Sequence, residues 1–189
     1  MIKRKINKVF ASLCAGITIV NILSAQVISP FNKIEIKDTL DSYTFIVSGH
    51  FHGASTNAST FPSSSLLANI DTLNALKPQF LMSLGDLFVD VNDTYIKNYQ
   101  NSLFDKIKTP LFNAVGNHDI SNGNIYEKVF GKTFFSFEYG SELYIVLNTE
   151  LNDGSISGEQ LDFLKKVLFG SVSDNKKNIF IFSHRPIWS

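Results

Sequence analysis

Short apolar runs alternate along the chain with clusters of small and polar residues. Four of these runs have strand length and end in ligand-capable side chains. Tyr43 to Ser48 leads into Gly49-His50-Phe51-His52-Gly53, and Gln79 to Ser83 leads into Gly85-Asp86. Leu111 to Val115 leads into Gly116-Asn117-His118-Asp119, and Asn178 to Ser183 leads into His184-Arg185-Pro186. Runs of this length bounded by Gly, Pro, Asn and Asp read as buried strands. Between them the apolar residues fall at helical spacing. Leu66, Leu67, Ile70, Leu73 and Leu76 predict a helix that Pro78 stops. Tyr95, Tyr99, Leu103 and Ile107 predict a second helix over Val91 to Ile107, and Ile125 to Phe130 a short one ending at Gly131. Thr133 to Tyr139 and Leu143 to Asn148 read as a hairpin around Gly140-Ser141. Ser157 and Gln160 have the spacing of a capping box and open a helix over Gly158 to Leu168, with Leu161, Leu164 and Leu168 on one face.

Strands that alternate with helices early and form a hairpin later imply a layered α/β fold with a partly parallel sheet. Residues 26–42 read as a lead-in, with Pro30 and an edge strand at Lys33 to Ile36. Ala54 to Ser65 is a loop rich in Ser, Thr and Ala, placed directly after the first histidine cluster. Loops in such positions commonly face a substrate, although a plain connector has the same composition. The aromatics Phe134, Phe135, Phe137 and Tyr139 read as core.

The 189 residues suffice for one domain with a real core, and 44% hydrophobic against 18% charged residues marks a globular chain. The formal net charge is zero, so there is no basic excess of the kind that attracts nucleic acid. The N-terminus changes the picture. Lys3, Arg4, Lys5 and Lys8 precede a mostly apolar run from Val9 to Leu23, and Ser24-Ala25-Gln26 offers a cleavage point. That is the layout of a secretory signal peptide over residues 1–25, with cleavage after Ala25. The apolar run is interrupted by Asn21 and short for a bilayer span. Its removal leaves a mature chain of about −4 by simple counting. Export places the protein in a periplasmic, cell-surface or extracellular setting, without a stable membrane span. Cys14, the only cysteine, lies in the leader, so the mature part has no disulfide, thiolate ligand or Cys nucleophile.

Any metal must then be held by His, Asp, Asn or Glu. All four histidines, His50, His52, His118 and His184, follow strand-like runs. If the strands are parallel, these clusters and Asp86 share one sheet edge, where α/β proteins build their sites. Singly, each has an ordinary reading: Asn117, Asp86 and His52 as turn residues, His184 as a satisfied histidine at a strand end. Together they form a convergent set of imidazole, carboxylate and amide, which are ligands for Zn, Mn or Fe.

From about Tyr43 onward the sequence resembles the calcineurin-like metallophosphoesterases. That family carries, in order, Asp-x-His, Gly-Asp-x-x-Asp, Gly-Asn-His-(Asp/Glu), a lone His after a strand, and Gly-His-x-His. Here His50-Phe51-His52, Gly85-Asp86, Gly116-Asn117-His118-Asp119 and Ser183-His184 occur in that order. The resemblance implies a four-layer αββα sandwich over residues 43–189. It also implies two divalent metal ions of unspecified identity (Mn, Zn or Fe), one on His50, His52 and Asp86 and the other on Asp86, Asn117 and His184. Asp86 would bridge them, and His118 would be the catalytic imidazole.

Three departures accompany it. His50 stands where the family has Asp. Val89 occupies the position of the family's second carboxylate, with Asp90 one residue later, so the group that orients His118, whether Asp90, Asp119 or neither, is open. The final Gly-His-x-His is absent because the chain stops soon after His184, which reads as the N-terminal portion of a longer protein. The function expected is an exported phosphoesterase that hydrolyses a phosphomonoester or phosphodiester with a metal-activated hydroxide. Its partner is the phosphate-ester substrate, and Arg185 is either a substrate contact or half of a surface salt bridge. The alternatives are a relative that binds a phosphorylated or glycosidic ligand without turnover, and a sheet protein with one structural metal. Oligomeric state is not encoded in any feature of the sequence.

Overall fold

The computed structural model describes residues 26–187 apart from 38, 39 and 55. The leader expected over residues 1–25 lies outside the described residues. The chain forms, in order, β1 (Ile46–Ser48), α1 (Ser64–Ala68), α2 (Ile70–Ala75), β2 (Leu81–Ser83) and α3 (Asp93–Tyr99). A π-helical turn (Gln100–Phe104), β3 (Leu111–Asn113), α4 (Ile125–Phe130), β4 (Phe135–Tyr139) and β5 (Glu142–Val146) follow. A 3-10 turn (Asn152–Gly154), α5 (Gly158–Ser173) and β6 (Asn178–Phe182) complete the described part.

Two three-stranded sheets are present among the described residues. In the first, β1, β2 and β3 are parallel and in register, with Ser48, Ser83 and Asn113 level at their C-terminal ends. In the second, β5 pairs antiparallel with β4 and parallel with β6. The period-2 alternation of strand side chains shows how the layers stack. Leu81 and Leu111 join Phe88, Tyr99, Phe104 and Phe130 in a core under the first helices. Their neighbours Met82 and Phe112 face the opposite way and pack with Phe137, Tyr144 and Phe182 of the second sheet. Leu143 and Ile145 of β5, with Leu147 just beyond it, point outward, against Phe163, Leu164, Val167 and Leu168 of α5. The order is helices, sheet, sheet, helix: the four-layer αββα sandwich. Aromatic rings fill the seam between the sheets, with Tyr144 within 5.0 Å of Phe80 and of Phe137, centroid to centroid.

The lead-in is part of this packing. Phe31 is buried in the first core, and Ser29 Oγ donates to the Leu111 carbonyl at 2.7 Å. Where an edge strand was expected at Lys33 to Ile36, the structure has a single antiparallel bridge from Glu35 to Ile28.

Both of the long helices expected early in the chain are broken. The first divides at Asn69, whose side chain donates to the Ser65 carbonyl while its backbone ends α1 and begins α2. The second passes from α3 into the π-helical turn, closed by Asp105 N–H donating to the Gln100 carbonyl. The wider turn lets Tyr99, Leu103 and Phe104 all be buried. α5 runs further than expected, to Ser173, and its capping box does not form. Ser157 makes no side-chain cap bond. Gln160 instead accepts from Asn148 N–H at 2.7 Å and donates to the Asn148 carbonyl at 3.0 Å, which ties the helix to the end of β5. Gln160→Ala would leave both buried backbone groups unpaired. We expect a loss of about 2 kcal/mol in urea unfolding, with the m-value unchanged.

Candidate metal centre

The parallel register of the first sheet brings three loops to one edge. The His50–Gly53 turn follows β1, Gly85-Asp86 follows β2, and the Gly116–Asp119 turn follows β3 shortly after. His184 comes from the second sheet, beyond β6, and its Nδ1 lies 2.7 Å from the Leu84 carbonyl of the first. His50 (φ 53°) and Asp86 (φ 56°) are both in the left-handed region. Such backbone costs on the order of 1–2 kcal/mol per residue and persists only where the surroundings enforce it. Here the His50 N–H donates to the Gly85 carbonyl at 3.0 Å. The glycines are needed for closeness. A Cβ on Gly85 would lie 2.5 Å from His184 Nδ1, and one on Gly116 would lie 2.2 Å from Asp86 Oδ1.

The loops converge on Asp86, which is buried. Its Oδ2 lies 3.5 Å from His50 Nε2, 3.7 Å from His52 Nε2 and 3.7 Å from His184 Nε2. Its Oδ1 accepts from the His118 backbone N–H at 3.3 Å. Donor atoms of His52, Asp86 and His118 lie within 4.8 Å of one another. His52 is 1% exposed, yet neither of its ring nitrogens has a hydrogen-bond partner. A buried imidazole with two unpaired nitrogens calls for a further partner, such as an ion or a water. Burial also pushes the His52 pKa down, with the Asp86 charge acting against that shift. The neutral form is the one that ligates. His118 Nδ1 lies 2.8 Å from the Val89 carbonyl. In both His118 and His184 the Nδ1 must therefore donate to a backbone oxygen, which leaves Nε2 available. This outer contact is characteristic of metal-bound histidines. The residues present fit a divalent ion.

Of the carboxylates left open as partners of His118, neither contacts its ring in the structure. Asp90 accepts from the side chains of Asn92, Ser121 and Asn122. Asp119 is fully buried and accepts from the backbone N–H groups of Asp86 (3.0 Å), Phe88 (3.2 Å) and Gly116 (3.0 Å). It also accepts from Asn113 Nδ2 at 2.9 Å. Burial pushes its carboxyl above the usual carboxylate range, against the pull of those bonds. A main-chain carbonyl, which no residue pattern announces, takes the bracing role. Asn117 is exposed beside His118 and is not drawn into the cluster by any hydrogen bond among the described residues. Arg185 is committed to Glu150, through its Nε at 2.7 Å and a second contact from Nη2. This is the salt-bridge alternative for that residue.

No protein-family model matches the chain, and no curated protein matches it. Among solved structures the chain is similar to a purple acid phosphatase from yellow lupin (Lupinus luteus) seeds, at 15% identity and a TM-score of 0.49. The match covers 79% of this chain and 31% of that one, so the chain spans less than a third of the length of that protein. Among the described residues no helix is long and apolar enough to cross a membrane.

Proposed function

We propose that the protein is an exported, metal-dependent phosphoric ester hydrolase acting on a phosphomonoester or phosphodiester. The observation that supports this most directly is the meeting of three imidazole Nε2 atoms around one carboxylate oxygen, Asp86 Oδ2, at 3.5–3.7 Å. His50, His52 and Asp86 would hold one divalent ion, and Asp86, Asn117 and His184 a second, each of Mn, Zn or Fe class. When bound, such ions supply Lewis acidity toward a phosphoryl oxygen and toward the attacking water.

The chain's own residues supply the rest. Asp86 is fixed in rotation by the His118 backbone N–H on Oδ1, so that Oδ2 alone is presented to the imidazoles. Val89 and Leu84 hold the rings of His118 and His184 through Nδ1. Nε2 of His118 remains to donate a hydrogen bond to a phosphoryl oxygen, or a proton to the departing alkoxide. Asp119 holds the two loops that carry Asp86 and His118 at a fixed separation.

The test is hydrolysis of an aryl phosphate and of an aryl phosphodiester by the purified protein. We expect turnover that is abolished by chelation and restored by Mn or Zn. Ligand binding without turnover under all metal conditions would refute the hydrolase reading in favour of a binding module.

A further inference from the structure

The resemblance pairs His52 with His50 on the first ion and keeps His118 for proton transfer. The geometry divides the histidines differently. Their rings form an arc around Asp86: His118 to His52 at 5.0 Å, His52 to His50 at 5.8 Å, His50 to His184 at 5.7 Å, centroid to centroid. His118 is the nearest of these neighbours to His52. His50, by contrast, has a side chain that is 62% exposed, while those of His52 and Asp86 are 1% and 5% exposed. Of the two imidazoles that flank His52, His118 is therefore the nearer and the less exposed, while His184, with a side chain 11% exposed, lies at the far end of the arc.

We propose that, before substrate arrives, His118 is itself a metal ligand. Its Nε2 would complete a site of two imidazoles and one carboxylate with His52 and Asp86. Four observations support this. The three side chains offer donor atoms within 4.8 Å of one another. Both ring nitrogens of His52 are buried without partners. The His118 ring is held by Nδ1 on the Val89 carbonyl, the same outer contact that His184 makes with Leu84. The position that would place a carboxylate against His118 is occupied by Val89, so the ring is braced by a neutral carbonyl. Donors about 2.0–2.2 Å from a shared ion stand about 3.3–3.6 Å apart in tetrahedral geometry, against separations of up to 4.8 Å within the triad. Two imidazoles and one carboxylate select a borderline ion such as Zn2+ or Fe2+ over Mg2+.

The inference rests on the site holding a divalent ion and does not require turnover. The experiment is Zn2+ binding by equilibrium dialysis with elemental analysis on the full chain, comparing wild type, His118→Ala and His118→Gln, with Mg2+ as a control. Near-UV circular dichroism establishes that each variant is folded, and the glutamine variant serves if the alanine variant is not. We expect the tightest Zn2+ to bind at least about a hundredfold more weakly in the His118 variant, since even the loss of an outer-sphere partner costs 10–100-fold. Co2+ bound at the same position should change its visible absorption as an imidazole is lost. A loss of Zn2+ affinity of about a hundredfold or more supports the assignment, and a smaller one, within the range of an outer-sphere contact, overturns it. A variant that keeps its Zn2+ but no longer hydrolyses an aryl phosphate would return His118 to a purely catalytic role. The hydrolase reading would then stand and this inference would fail.

Discussion

Asp86→Asn is expected to lower kcat/KM for an activated aryl phosphate by at least about a thousandfold, equivalent to about 4 kcal/mol of transition-state stabilisation. The substitution isolates charge from shape. Asn has the outline of Asp and tolerates the left-handed backbone found at this position (φ 56°). Its carbonyl oxygen can still accept the His118 N–H. The negative charge that three imidazoles surround is lost, and with it the carboxylate oxygen that faces all three. The metal-free chain should respond in the opposite direction. Asp86 is buried and, among the described residues, no Lys or Arg forms a salt bridge with it, so Asn at this position removes a desolvation cost at little loss of ion pairing. The melting temperature of metal-free Asp86→Asn should therefore equal or exceed that of wild type, while its metal content falls. An Asn variant with activity within tenfold of wild type would sink the assignment of Asp86.

The second large effect is on stability. Asp119→Ala removes the acceptor for three buried backbone N–H groups and for the Asn113 amide. Each unpaired buried donor costs about 1–3 kcal/mol. Relaxation and the relief of a desolvated carboxylate offset part of the sum, which leaves a loss of about 4 kcal/mol. For a domain of this size that lowers the melting temperature by roughly 12 °C. Asp119→Asn keeps one acceptor oxygen and should fall between the two. If thermal unfolding of the alanine variant shifts by less than about 3 °C, the loops are held by something other than Asp119.

Much of the site was legible because its signals are local. A strand ending in Gly followed by a ligand-capable residue recurs at Gly49-His50, Gly85-Asp86 and Gly116-Asn117, and parallel pairing carries these turns to one edge. What escaped was whatever depends on main chain or on partners remote in sequence. The Val89 carbonyl that braces His118 has no side-chain signature. The break at Asn69 and the π-helical turn after Tyr99 sit inside unbroken helical periodicity, because apolar spacing of four residues serves an α-helix and a widened turn equally. Gln160 has the position of a capping residue but the bonds of a clamp on β5, since a buried strand end offered it two unpaired groups. The second sheet was foreseeable as a hairpin. Its stacking on the first is set by which face of each strand carries the aromatics, as in Phe80 and Met82 against Phe137 and Tyr144.

His184 is the one histidine of the cluster that belongs to the second sheet, and it bonds to Leu84 on the first, 100 residues earlier. An ion shared by His184 and Asp86 would act as a rivet through both layers. Because these partners are so distant along the chain, the rivet can set only after the sheets have docked. It therefore adds nothing to the speed of folding and acts on the reverse process. The loaded protein should part its layers more slowly than the bare one, so that metal supply governs how long a folded molecule lasts.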